Sequence, residues 1–159
     1  MPANIEIKAR VWDFESLQRV AAKKGDTPCQ TITQEDTFFN CPYGRLKIRE
    51  LNPHLGQLIF YQRQDVMGPK HSEYKIFETD DPVGLKSILA EAFGIRGVVT
   101  KIRCLYFVGQ TRIHLDDVKG LGKFIELEVV LQPGQTDAEG QAVAENLMSE
   151  LGIRDIDLI

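Results

Sequence analysis

The stretch Gly109–Leu131, GQTRIHLDDVKGLGKFIELEVVL, decides the reading of the whole chain. Arg112, His114 and Asp116 share one parity, and Ile113, Leu115 and Asp117 the other. After Lys119–Lys123, which carries two glycines, Phe124, Glu126, Glu128 and Val130 alternate with Ile125, Leu127 and Val129. Period two on both sides of a glycine-bearing turn predicts a β-hairpin, because successive side chains of a strand point to opposite faces. Glu126 and Glu128 then stand on one face. Two carboxylates that close raise each other's cost unless a cation sits between them. Either a metal ion or basic strands opposite are therefore expected.

The basic strands are supplied elsewhere. Arg45–Leu51, RLKIREL, puts Arg45, Lys47 and Arg49 on one face and Leu46 and Ile48 on the other, with Leu51 read as breaking parity at the strand end. Val98–Val108 puts Lys101 and Arg103 on one face. Gln57–Arg63 adds Arg63 beside Tyr61. Asn4–Val11, NIEIKARV, alternates Ile5, Ile7 and Ala9 with Glu6, Lys8 and Arg10. Cys29–Phe39 is a further strand, rich in Thr and Phe. Glu73–Phe77 reads as a short strand, and Asp65–Ser72 before it as a polar loop able to cover a site.

Helices fill the intervals. Asp13 caps a helix to about Lys24, with Phe14, Leu17, Val20 and Ala21 as its apolar stripe. Asp81-Pro82 opens a second, which Gly94 stops. The third runs from about Thr136 to Leu151, with Val143, Leu147 and Leu151 on one face and Gly152 as terminator. Eight strands joined mostly by short turns, with about three helices, predict an α+β, mainly β chain: an eight-stranded antiparallel barrel over residues 1–159 as one domain.

A charged strand face is ordinarily a wet one. Here whole strands carry one sign, Arg45/Lys47/Arg49 and Lys101/Arg103 against Glu126/Glu128. Like charges side by side are destabilising, so this segregation calls for a ligand. A polyanion with a divalent cation fits: carboxylates hold the ion, and guanidinium and ammonium groups hold phosphates. The barrel interior is then polar, and the apolar faces lie under the helices.

The 159 residues carry a net charge of −4, which argues against a nucleic-acid partner for the chain as a whole. No P-loop, G-x-G-x-x-G, H-E-x-x-H or G-x-S-x-G sequence occurs. Cys29, Cys41 and Cys104 are too scattered for a zinc site and read as reduced thiols. No apolar run reaches signal-peptide or membrane-spanning length, so the expectation is a cytoplasmic protein with no membrane partner.

Taken together, IEIKAR near the start, QEDTFF at Gln34–Phe39, GRLKIRE at Gly44–Glu50, YQRQD at Tyr61–Asp65, KIR at Lys101–Arg103 and the opening hairpin resemble the CYTH superfamily, the triphosphate tunnel metalloenzymes. The chain is most similar to the class IV adenylate cyclase-like members; thiamine triphosphatase and inorganic tripolyphosphatase are relatives on that fold. The resemblance implies a tunnel that binds a triphosphate, with Mg²⁺ or Mn²⁺ held by acidic residues. The family's E-x-E-x-K signature falls on Asn4, Glu6 and Lys8, with an amide in place of its first carboxylate. By the same resemblance Arg45, Lys47, Arg49, Arg63, Lys101, Arg103 and Arg112 bind substrate, and Glu6, Asp116, Glu126 and Glu128 are metal ligands. Lys8, Glu126 and Glu128 are the expected catalytic residues, Lys8 as point charge or general base. His114 is read as a partner on the barrel wall and not as a metal ligand.

The implied activity is metal-dependent chemistry on ATP, thiamine triphosphate or tripolyphosphate. It is either cyclisation of ATP to cyclic AMP with release of pyrophosphate, or triphosphate hydrolysis. The alternative is a non-catalytic polyphosphate- or nucleotide-binding domain, with Asn4 as the mark of a lost metal. A homodimer is left open.

Overall fold

A computed structural model of the chain describes residues 2–159. Its strands are β1 (Ala3–Arg10), β2 (Gln30–Phe39), β3 (Arg45–Asn52), β4 (Leu55–Arg63), β5 (Lys70–Thr79), β6 (Ile95–Val108), β7 (Thr111–Val118) and β8 (Gly122–Val130). They close into one barrel in the order β1-β5-β4-β3-β2-β6-β7-β8, with every pairing antiparallel. Closure leaves no free sheet edge, which is how an all-antiparallel sheet of this length avoids pairing with other chains. The helices are α1 (Phe14–Lys24), α2 (Pro82–Phe93) and α3 (Asp137–Glu150), followed by one turn of 3-10 helix at Asp155–Asp157. The eight strands, three helices and polar interior are those expected from the periodicities.

The helix starts follow from their caps. The Asp13 carboxylate accepts from the Ser16 amide, and Asp81 accepts from the Gly84 amide with Pro82 in the first turn. Thr136 and Glu139 form a reciprocal capping box on α3.

The hydrophobic core lies outside the barrel wall. Ile5, Ile7 and Ala9 of β1, Ile113 and Leu115 of β7, and Ile125, Leu127 and Val129 of β8 face outward and are buried under Ala21 of α1 and Ala144, Leu147 and Leu151 of α3. Burying each large aliphatic side chain contributes roughly 1.5–3 kcal/mol, so this two-layer half anchors the molecule. Gly140 lets α3 settle closely: a Cβ there would lie 2.7 Å from Ile5 Cγ1 and 2.6 Å from Leu131 Cδ2. The covering is one-sided. Phe77 of β5 and Val98 and Ile102 of β6 point outward and are more than half exposed, although α2 covers Ile48 of β3.

Three local expectations are corrected. The segment Asp65–Ser72 is not a loop throughout: β5 begins at Lys70, and Glu6↔Lys70, Ile5↔His71 and Asn4↔Ser72 pair it to β1. Those residues are too polar to read as a strand alone; what makes them one is that the barrel can close only through β1–β5 pairing. Similarly, β6 starts at Ile95 and not Val98, because β2 runs long enough to pair with the extra residues. Leu51 shares the inward parity of Arg49 and lines the interior, and a register shift between Glu50 and Asn52 follows it. Among the described residues, no helix is long and apolar enough to cross a membrane.

Candidate functional site

Because β-strand side chains alternate, the parity that sends Ile5 and Ile7 outward sends Asn4, Glu6 and Lys8 into the barrel. The same rule brings in Lys47 and Arg49 from β3, Arg63 from β4, Lys101 and Arg103 from β6, Arg112 and His114 from β7, and Glu126 and Glu128 from β8. Together they line a cavity of about 320 Å³. Seven lysines and arginines and three glutamates line it, an excess of four positive charges before His114 is counted, in a chain whose net charge is −4. Counting the two fully buried aspartates behind the lysines and arginines, Asp36 and Asp116, still leaves an excess of two. The wall is thus opposite in sign to the molecule.

The charges are sorted by strand. Adjacent strands β1 and β8 place Glu6 opposite Glu128 and Lys8 opposite Glu126. Across β7 and β8, Arg112 stands opposite Glu128 and His114 opposite Glu126. Burial raises the Glu6 carboxyl, and Glu126 raises it further, against an opposing 3.1 Å hydrogen bond from Arg63 Nη1. Burial acts in the same direction on Glu126 and Glu128. It is overcome at Glu126 chiefly by Arg103, and at Glu128 by His114, Arg112 and Arg103, so both are held below the usual range. Asn4 Nδ2 donates to Glu128 Oε2 at 3.1 Å. One ligand atom from each of His114, Glu126 and Glu128 can be chosen so that all three lie within 4.8 Å of one another.

Four of the basic residues are held in place by two matching devices. On β6, Arg103 makes a fork to Asp116 of β7 through Nε and Nη2, at 2.8 and 2.9 Å, with Lys101 Nζ at 3.3 Å. On β3, Arg49 makes the same fork to Asp36 of β2, at 2.9 and 2.9 Å, with Lys47 Nζ at 2.9 Å. In each case a K-x-R strand lies beside a strand carrying one inward aspartate, with Asp36 opposite Arg49 and Asp116 opposite Arg103. Both aspartates are 1% exposed. Burial alone would raise Asp116, but the Arg103 hydrogen bonds and the Arg103 and Lys101 charges hold it at about 2. Lys47 and Arg49 hold Asp36 lower still, against burial. Lys47 itself is lowered to about 8, by burial first and the Arg49 charge second, with Asp36 opposing.

Of the residues named from the sequence, Glu6, Lys8, Lys47, Arg49, Arg63, Lys101, Arg103, Arg112, Glu126 and Glu128 are brought together on one cavity. Arg45 stands off the cavity, opposite Tyr61 on β4. Asp116 is walled in by Arg103 and Lys101, while His114 stands with Glu126 and Glu128. Sequence reasoning missed Asp36, Gln34, whose amide lies against the Arg49 guanidinium, and Ser72 on the β5 wall. A signal for Asp36 existed: a lone inward-parity aspartate on a Thr/Phe-rich strand preceding a K-x-R strand.

A closed antiparallel barrel with its apolar layer outside and a charge-sorted lumen defines the class: a β-barrel built around a charged cavity. The chain belongs to the CYTH domain family, whose model matches residues 2–159. It is 24% identical over 164 residues to the adenylate cyclase CyaB of Aeromonas hydrophila, covering 97% of this chain and 83% of that one. Its fold is similar to that of the PH1012 protein of Pyrococcus horikoshii OT3, with a TM-score of 0.85 and 25% identity over 98% of this chain and 94% of the other. It is also similar to a putative adenylyl cyclase from Hippeastrum described as having a dominant triphosphatase activity, with a TM-score of 0.67 and 20% identity over 94% of this chain and 88% of that one.

Proposed function

We propose that this protein is a divalent-metal-dependent enzyme that acts on a triphosphate bound inside the barrel. The observation that carries the reading is the sorted lumen: an excess of cationic side chains on β3, β4, β6 and β7 facing a carboxylate wall on β1 and β8, in an acidic chain. Cations that close repel each other, and a phosphate chain is the partner that removes the repulsion.

The residues divide the work. Arg49 and Arg103, held by their aspartate forks, are pre-aimed donors; each needs no reorganisation to meet a phosphate oxygen. Lys47, Lys101 and Arg112 add charge along the chain of phosphates. Phosphoryl transfer asks for positioning and charge stabilisation more than for covalent help from the protein. Glu126 and Glu128, with His114 beside them, would hold the metal, and their donor set fits a divalent ion. When bound, such an ion polarises a phosphoryl oxygen and neutralises developing charge. Glu6 is tied to Arg63, so it first serves to orient that guanidinium. Lys8 lies at the acidic wall opposite Glu126, placed to counter charge on a reacting oxygen.

Two reactions suit this lumen. A ribose hydroxyl aligned on the α-phosphorus yields cyclic AMP and pyrophosphate, as the name of the Aeromonas relative suggests. Water aligned on the terminal phosphorus yields orthophosphate and the corresponding diphosphate as leaving group, as the description of the Hippeastrum protein suggests. One observation favours a second reading, a binding domain without turnover: the first position of the acidic signature is Asn4, which spends its amide on Glu128. The test is the purified chain with Mg²⁺ or Mn²⁺ and ATP, thiamine triphosphate and tripolyphosphate in parallel, with products identified. Turnover of any of them supports the enzyme, and the product says which kind. Tight binding of tripolyphosphate without turnover leaves only the binding domain, and absence of binding overturns both.

A further inference from the structure

Three buried polar atoms around Glu128 lack a hydrogen-bond partner: Nε of Arg112, Nδ1 of His114 and Oδ1 of Asn4, the last two in residues 5% and 2% exposed. A buried polar atom left unpaired costs roughly 1–3 kcal/mol and asks for a reason. For His114 the geometry supplies one. Its Nδ1 lies 3.0 Å from Glu128 Oε1, yet the contact lacks the alignment of a hydrogen bond. Two adjacent ligands of an octahedral ion, each about 2.1 Å from it, lie about 3.0 Å apart. The separation matches that of two donors on one ion, as it also would a hydrogen bond, and the missing alignment favours the first. Glu128 is set for it: Oε2 accepts from Asn4 and faces Arg112, which turns Oε1 to the imidazole. Glu126 stands directly opposite His114 on the paired strand, and its ligand atom falls in the same group. All three donors rise from two hydrogen-bonded strands of the best-packed half of the barrel, so their spacing is preset.

Resting on the reading that the lumen takes a divalent ion, we propose that the His114 imidazole is a direct ligand of that ion, and that its nitrogen tilts the site from Mg²⁺ towards Mn²⁺ and the later first-row ions. Mg²⁺ is hard, prefers oxygen donors and keeps its waters. An imidazole nitrogen adds most to first-row transition ions, with affinity rising from Mn²⁺ onwards. A site made of carboxylates alone carries less of this bias. One histidine among two glutamates introduces it, and Asn4 acts as a positioning residue by holding Glu128.

The experiment uses the full chain loaded with Mn²⁺ and pulsed electron paramagnetic resonance, which detects ¹⁴N coupled directly to the ion. The wild type is expected to show a directly bound nitrogen, and His114→Asn, which presents an oxygen where Nδ1 stood, is expected to lose it. In competition titrations the Mn²⁺/Mg²⁺ affinity ratio is expected to fall about tenfold in His114→Asn, while Mg²⁺ affinity changes less than about threefold. The wild-type spectrum decides even if the variant fails to fold. Mn²⁺ bound without a coupled nitrogen overturns the ligand assignment and leaves the metal reading intact. No Mn²⁺ bound at all overturns both. An affinity ratio unchanged in a folded His114→Asn overturns the selectivity.

Discussion

Replacing Asp116 by Asn tests whether the cationic wall is pre-aimed by buried aspartates. The carboxylate is 1% exposed and neutralises Arg103 and Lys101, themselves at 5% and 7%. Its carboxyl lies at about 2 in the folded chain against an ordinary value of 3.8. At 1.36 kcal/mol per unit, that difference makes the ionised form worth roughly 2 kcal/mol to the fold. Breaking a buried pair outright, which leaves two uncompensated cations, costs roughly 3–5 kcal/mol. The amide keeps part of the hydrogen bonding, so the expected loss is about 2–4 kcal/mol at pH 7. For a chain of this size that is a drop in Tm of roughly 5–15 °C.

The pH dependence has a definite sign. A carboxyl depressed by folding contributes stability that is present above its unfolded value and lost as pH falls through its folded one. The gap between wild type and Asp116→Asn is therefore full above about pH 5 and closes as the pH falls from about 4 to about 2. Urea unfolding at a series of pH values measures it. Tripolyphosphate adds a second sign: with Arg103 no longer pre-aimed, the ligand-induced rise in Tm is smaller in Asp116→Asn than in wild type. A loss below about 0.5 kcal/mol at pH 7, the size of a surface substitution, or a gap that does not change with pH, would refute the anchoring role.

Three further outcomes are expected. Glu126→Gln and Glu128→Gln each lower turnover by at least about a hundredfold while circular dichroism and Tm show the fold intact; full activity in both would remove these residues from the reaction. Lys47, lowered to about 8 by burial and Arg49, is pulled back towards its charged form by a bound polyanion. Tripolyphosphate binding at pH 8 therefore takes up protons and weakens as pH rises further, which calorimetry in buffers of different ionisation enthalpy reads directly; zero net uptake at pH 8 counts against it. Gly140→Ala, although it removes a helix glycine worth about 1 kcal/mol, destabilises by a net amount of about 1–2 kcal/mol because its Cβ meets Ile5 and Leu131; an unchanged or raised Tm would show that α3 can back away.

Much of this molecule is written in parity. The alternation in β1, β3, β6 and the β7–β8 hairpin assigns each side chain a face, and the sign of the charges says that the polar face is the inner one. Helix limits at Asp13, Asp81, Thr136 and Gly94 follow from capping chemistry within four residues of the site they fix. These are local rules, so the sequence by itself determines them: strand periods, helix caps, the barrel class and which residues point inward.

What tertiary structure alone decided is which inward residues meet. Lys70 and His71 became strand because β1 lay beside them at closure. Asp116 turned from the acidic wall to Arg103 and Lys101, and Asp36 took the matching place beside Arg49 and Lys47, because β6 pairs with both β7 and β2 and β3 pairs with β2. His114 came to stand with Glu126 and Glu128 through register across the hairpin and the tilt of side chains into a closed lumen. Parity gives a face, but a buried carboxylate chooses its partner by distance in three dimensions. Coulomb attraction and hydrogen-bond angle are settled over a few ångströms that span residues far apart in the chain.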